Sequence, residues 1–177
     1  MGIHRKSIGD YFDERIEAMK NEIARLSRDR VLFHREAESN ALKAKYTIKE
    51  ITVSGDSKID ISADARQATI RIPVEHNNEM TQLLKLESHG GAGWLDLDYR
   101  DGFLSHVVPA DGEPSLVKKR IENMIRHITD TEIDPRKAAI RNGNERVISA
   151  LNERLDQLQA QFKAQDERRS QLEEQLK

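Results

Sequence analysis

The sequence contains no cysteine and few aromatic residues. Among its 177 residues, Phe, Trp and Tyr together make up 5%. Without cysteine the chain can form neither a disulfide bond nor a zinc site with thiolate ligands, and it fits a reducing compartment, so we expect a cytoplasmic protein. The scarcity of aromatic side chains argues against a large hydrophobic core.

Long apolar runs and an excess of one charge are missing as well. No apolar run approaches the roughly 18 residues that a membrane-spanning helix needs. A net charge of −2 provides no general attraction to nucleic acid or to anionic membranes. Two basic clusters, residues 118–120 and 168–169, lie among acidic residues and have no aromatic side chains beside them on which bases could stack. We therefore expect neither nucleic acid nor a membrane as a partner.

The chain is instead rich in charge, with 34% charged and 37% apolar residues, which is typical of long solvated helices. Apolar residues recur at heptad spacing near the C-terminal end, and Gln165 and Arg169 fill the gap in this series. We call this series the tail seam: Ile148, Leu151, Leu155, Leu158, Phe162, Leu172 and Leu176. Such spacing predicts a coiled coil. Because so narrow a seam cannot form a core alone, we expect it to bind a partner helix, in the same chain or in another.

Residues 7–43 predict a long N-terminal helix with a second heptad seam. No glycine or proline occurs between Asp10 and Ser54, which favours one unbroken helix. Its seam is interrupted by an arginine and comprises Phe12, Ile16, Met19, Ile23, Leu26, Arg30, Phe33 and Ala37. Two interpretations stay open: the helix packs on its own domain, or it pairs with another long helix.

The middle of the chain favours β-structure. Residues 46–53 are rich in β-branched side chains and predict a strand, and residues 58–62 a short second one. Residues 68–74 alternate between apolar and polar side chains, as in a half-buried strand. Pro73 indicates a strand end or an edge position.

Residues 94–108 predict a β-hairpin with Asp101-Gly102 in a type I′ turn. This turn pairs Arg100 with Phe103 and Tyr99 with Leu104. One face then contains Leu95, Leu97, Tyr99, Leu104, His106 and Val108 and faces the core. Trp94 and Phe103 lie on the wetter face, where either the tail or another helix covers them within the fold, which we favour, or they form a surface contact.

A helix over residues 114–129 has a wide apolar stripe that should cover the sheet. Asp134-Pro135 predicts a helix start or a kink, and residues 142–144 a turn or kink before the tail. The predicted fold is α+β: a small antiparallel sheet packed with a helix, flanked by a long N-terminal helix and a C-terminal coiled-coil-like arm. We divide the chain into an N-terminal heptad helix (1–44), an α+β core (45–130) and a helical arm (131–177), which together form one structural domain with an arm.

Histidine and aspartate residues crowd the middle of the chain and suggest a metal or hydrolytic site. They are His76, His89, Asp96, Asp98, Asp101 and His106. The hairpin register argues against a compact site, because it directs His106 to the face opposite Asp96 and Asp98. We therefore expect no catalytic residue, no metal and no cofactor.

A heptad helix at each end and a β-rich middle make the layout loosely similar to prefoldin, in which two long helices form a coiled coil and β-hairpins assemble into an oligomer. The middle segment here is longer and has its own helix. We expect a non-enzymatic assembly or adaptor protein that binds a second copy or another protein subunit through its coiled-coil helices. The alternatives are a prefoldin-like holdase and a small metal-dependent hydrolase that uses the central His and Asp residues.

Overall fold

Long helices and a small antiparallel sheet coexist in the computed structural model, which describes residues 7–75 and 98–176. The predicted α+β class, with a long helix near each end of the chain, is confirmed. The described residues form two compact units. The first, which contains the sheet, comprises residues 7–8, 49–75 and 98–140; the second, which is helical, comprises residues 9–48 and 141–176.

The helices are α1 (Ile8–Ile23), α2 (Arg28–Phe33), α3 (Arg35–Tyr46), α4 (Pro114–Ile128) and α5 (Asp134–Gln175), with a π-helical turn at Thr129–Ile133 between the last two. The strands are β1 (Lys58–Ile61), β2 (Gln67–Pro73), β3 (Asp98–Arg100) and β4 (Phe103–Pro109). They form one antiparallel sheet in the order β1-β2-β4-β3.

The β3–β4 hairpin has the predicted register. Arg100 pairs with Phe103 and Tyr99 with Leu104. Asp101 and Gly102 have φ angles of 52° and 82°, as the two central positions of a type I′ turn require. The Asp-Gly pair therefore sets both the turn and the register.

One face of the sheet forms the core of the first unit. Alternate residues of β2 and β4 are buried on it: Ala68, Ile70, Ile72, Leu104 and Val108. Helix α4 contacts both strands, so it packs against the sheet as its apolar stripe predicts. Pro73 is the last residue of β2, which makes it a strand end.

The strand predicted over residues 46–53 is wrong. Tyr46 is the last residue of α3, and of the following residues only Val53 forms a β-bridge, with Val74. At Ile48, the side chain of Asn144 forms the backbone hydrogen bonds that a neighbouring strand would form in a sheet. Its Oδ1 accepts from the Ile48 amide at 2.8 Å, and its Nδ2 donates to the Ile48 carbonyl at 2.7 Å.

The prediction of one unbroken N-terminal helix is also wrong. Helix α1 ends at Ile23, and Ser27 then adopts an extended conformation and caps α2, its hydroxyl accepting from the Arg30 amide. Serine favours such capping positions over helix interiors. The N-terminal seam is buried from Phe12 to Leu26, whereas Phe33 is 75% exposed.

Helix α5 begins at Asp134, as the Asp-Pro pair predicts, but it continues through residues 142–144, so the predicted turn there is wrong. Near its start, Arg136 and Glu132 form a buried ion pair at 2.7 Å, and Arg136 also donates to the Glu132 carbonyl at 2.8 Å. The buried guanidinium of Arg136 and the buried carboxylate of Glu132 thus neutralise each other.

Candidate functional site

The tail seam lies within the helical unit, on α5 and on Leu176, which directly follows α5 and whose amide donates to the Leu172 carbonyl at 3.1 Å. The ion pair between Asp13 and Arg146 joins α1 to α5. Arg28, at the start of α2, pairs with Asp166 further along α5, and Arg35 of α3 pairs with Asp156. The chain therefore runs beside α5 in the same direction through α1 and α2, and α3 returns in the opposite direction.

The central part of the tail seam is buried within this unit. Leu151 and Leu155 are 0% exposed and Leu158 is 8% exposed. Ile148 and Phe162 at either end of this part are half-buried. Because α1 and α3 contact α5 along this length, helices of the same chain cover these leucines. The sequence left open whether this part of the seam pairs within the chain.

Glu22 links α1 to α3 by two short hydrogen bonds. Its Oε2 accepts from the Lys45 ammonium and from the Tyr46 hydroxyl, each at 2.5 Å. These two bonds, that from Lys45 above all, hold the pKa of the Glu22 carboxyl below its ordinary value of 4.5. Burial and the bond to Glu22 raise the pKa of the Tyr46 hydroxyl. The cluster therefore favours the ionised carboxylate and holds the two helices together.

The far end of the tail seam is exposed. Leu172 is 49% and Leu176 is 86% exposed. Arg169, at a seam position, bonds to Glu173 of its own helix at 2.8 Å. Among the contacts between helices of the described residues, Arg28–Asp166 lies furthest toward this end. We call residues 167–176 the tail end; it has a length of about 15 Å at the helical rise per residue.

The residues considered for a metal or hydrolytic site do not come together where the structure describes them. His76, His89 and Asp96 lie outside the described residues, as does Trp94. His106 pairs with Ile70 across the ladder between β2 and β4, on the core face. Within residues 7–75 and 98–176, no group of three His, Asp or Glu side chains could hold a metal ion.

Phe103, the second residue of the predicted surface contact, is half-buried on the sheet face opposite the core. The Lys58 ammonium lies 5.2 Å from the centre of its ring. This distance is that of a cation–π contact. Phe103 of β4 thus pairs its ring with a cation of the edge strand β1, which lies two places away in the sheet.

An apolar groove lies between β1 and α4 that the sequence did not predict. It has a volume of about 740 Å³, and Ile59 and Ile61 of β1 face Val117, Ile121 and Ile125 of α4 across it. Ile59 is 38% and Ile61 is 54% exposed. The Ile-Asp-Ile alternation of β1 and the width of the α4 stripe were visible in the sequence, but the gap between the two elements was not.

None of the described helices has the length and apolar content needed to cross a membrane. Comparison with protein-family models, with curated proteins and with solved structures found no match to this chain.

Proposed function

We propose that this protein is a non-enzymatic assembly or adaptor protein that binds a helix of another protein subunit through its tail end. One observation supports this above all: the tail seam continues beyond the part that α1, α2 and α3 cover. Leu172 and Leu176 keep the seam spacing but are exposed to solvent. Two apolar side chains on one face of a helix are the kind of surface that a partner helix covers.

The covered part of α5 holds the exposed part in a helical conformation. Ion pairs from Arg28 and Arg35 and the buried leucines hold α5 in place up to Asp166, so the tail end extends a helix that is already formed. Such preorganisation lowers the entropy that is lost on binding.

Gln165 and Arg169 occupy the seam positions between the covered and the exposed leucines. Polar residues at seam positions reduce stability but select the register and the partner. A partner helix with matching polar groups is therefore favoured over a purely apolar one. A cytoplasmic location stays a prediction from the sequence.

The proposal is tested by affinity capture of the full-length protein from cells that naturally produce it, read by quantitative mass spectrometry. The double variant Leu172→Lys/Leu176→Lys adds two charges to the exposed seam. Its matched control, Ser170→Lys/Gln171→Lys, adds the same charge to neighbouring positions outside the seam. We expect a stoichiometric partner to be captured by the wild type and by the control, and lost from the seam variant.

Equal capture by the seam variant and by the control would rule out the tail end as the docking surface. Many substoichiometric clients in place of one partner would favour a holdase. That outcome is checked by whether the purified protein, at equimolar amount, suppresses aggregation of an unrelated unfolding protein.

A further inference from the structure

Strand β1 is an edge of the sheet that the described strands form. The Ser62 amide donates to the Gln67 carbonyl at 2.9 Å, in the same register as the β1–β2 pairs. Since backbone groups alternate in direction along a strand, Ser62 and the even-numbered residues of β1 bond toward β2, and the N–H and C=O of Ile59 and Ile61 point away from it. Across residues 7–75 and 98–176, no backbone group bonds to this outer side.

The same edge is apolar on the core face. Ile59 pairs with Ile70, so both isoleucines of β1 lie on the face against which α4 packs. They form one wall of the groove between β1 and α4 and remain exposed there. Protected edge strands are usually short, charged or covered. This edge is short, but it combines free backbone groups with exposed apolar side chains, which favours the addition of another strand.

The opposite face of β1 has one cation and one anion, both held by neighbours. Asp60 pairs with Arg71 of β2 at 3.0 Å, and Lys58 lies over the ring of Phe103. The two charges are thus positioned on one face with Ile59 between them in sequence. A strand with this arrangement can be complementary to itself.

Antiparallel pairing of two copies of β1 allows few registers, because only odd-numbered residues have free backbone groups. With Ile59 opposite Ile59, Lys58 of each copy faces Asp60 of the other at a position where side chains approach closely. Shifting by one allowed step places Asp60 opposite Asp60. Shifting the other way places Lys58 opposite Lys58. Both shifts oppose like charges, which destabilises a cross-strand pair.

We propose that β1 pairs antiparallel with β1 of a second copy, Ile59 opposite Ile59, and so joins the four described strands of one copy to those of the other in a continuous sheet. The occupant is a second copy because the charges of β1 complement only this register among the neighbouring ones. The pairing satisfies the free backbone groups of Ile59 and Ile61 and covers part of the apolar groove. Strand β1 and the tail end belong to different units, and this pairing does not depend on the function of the tail end.

Sedimentation velocity on the full-length protein over a concentration series tests the proposal. We expect a species of twice the 20.3 kDa chain mass for the wild type. Asp60→Lys and Lys58→Asp each oppose like charges in every copy, so each variant alone should lose the dimer. Mixed together, the two variants are complementary at both positions and should form a heterodimer, which also shows that both are folded.

Hydrogen exchange supplies an independent readout. The amides of Ile59 and Ile61 should exchange more slowly as the wild-type concentration rises, and at a constant rate in Asp60→Lys. A wild type that stays monomeric, or a mixture of the two variants that stays monomeric, overturns the proposal. A dimer that survives in both β1 variants and is lost in Leu172→Lys/Leu176→Lys also overturns it and assigns self-association to the tail end.

Discussion

Gly143 is a residue whose identity is explained by packing and not by local conformation. It lies inside α5, where glycine is unfavourable compared with alanine by about 1 kcal/mol. A Cβ atom at this position would overlap the ring of Phe12 on α1. Phe12 is fully buried, so its ring has little room to move. The absence of a side chain at Gly143 therefore permits a close approach of α1 to α5, at the cost of a lower helix propensity.

We predict that Gly143→Ala lowers the free energy of unfolding by about 1–2 kcal/mol, because the overlap outweighs the gain in helix propensity. Urea unfolding measures this change. Ser149→Ala, at an exposed position of the same helix, is the control and should change stability by less than about 0.5 kcal/mol. In a Phe12→Leu background the effect of Gly143→Ala should shrink or reverse. A stabilised Gly143→Ala single variant would contradict the explanation.

Between elements, the bonds from Glu22 to α3 couple the helical unit to pH. A carboxyl whose pKa is lowered by folding contributes stability above its unfolded pKa, and that contribution is lost as the pH falls through the folded pKa. The pKa of Glu22 is shifted in this direction by the bonds from Lys45 and Tyr46. The connection between α1 and α3 should therefore be strongest at neutral pH and weaken in acid.

We predict that Glu22→Gln destabilises the protein above pH 4.5, the ordinary pKa of this carboxyl, and that the difference from wild type declines as the pH falls through the lowered value. Urea unfolding over a pH series measures it. Glu17→Gln, which removes an exposed pair with Lys20 on α1, serves as the control and should have at most a small effect. A Glu22→Gln difference that is equally large in acid and at neutral pH would refute the assignment.

In the whole molecule, segments that are far apart in sequence form one helical unit. Residues 9–48 and 141–176 share a core to which both heptad seams contribute. Removing the C-terminal part therefore removes the buried leucines of α5 from this core. The leucines of the tail end, by contrast, are exposed and do not contribute to this core.

We predict that truncation after Asn142 abolishes the slow hydrogen exchange of amides in α1 and α3, because Leu151 and Leu155 no longer cover them. Truncation after Arg169 should leave this protection unchanged, since all the described residues that it removes, 170–176, are exposed. Hydrogen exchange read by mass spectrometry distinguishes the two. Full protection of α1 in the shorter protein would show that the N-terminal helices fold without α5.

Local chemistry made much of the fold predictable. The Asp101-Gly102 pair determines the β3–β4 register because few other residues adopt two successive positive φ angles. The alternation in β2 and the proline at the start of α4 likewise indicated their elements, since each signal acts within a few residues. For the same reason, the capping role of Ser27 could have been anticipated.

By itself, then, the sequence determined the class of fold, the hairpin and the apolar faces of α1, α4 and α5. Only the tertiary structure decided where α1 ends, that α5 continues through Gly143, and that Leu151 and Leu155 are covered within the chain while Leu172 and Leu176 are not. The physical reason is that a heptad pattern specifies which side chains avoid water but not which helix covers them. That choice depends on contacts between residues more than a hundred positions apart, such as Phe12 with Gly143.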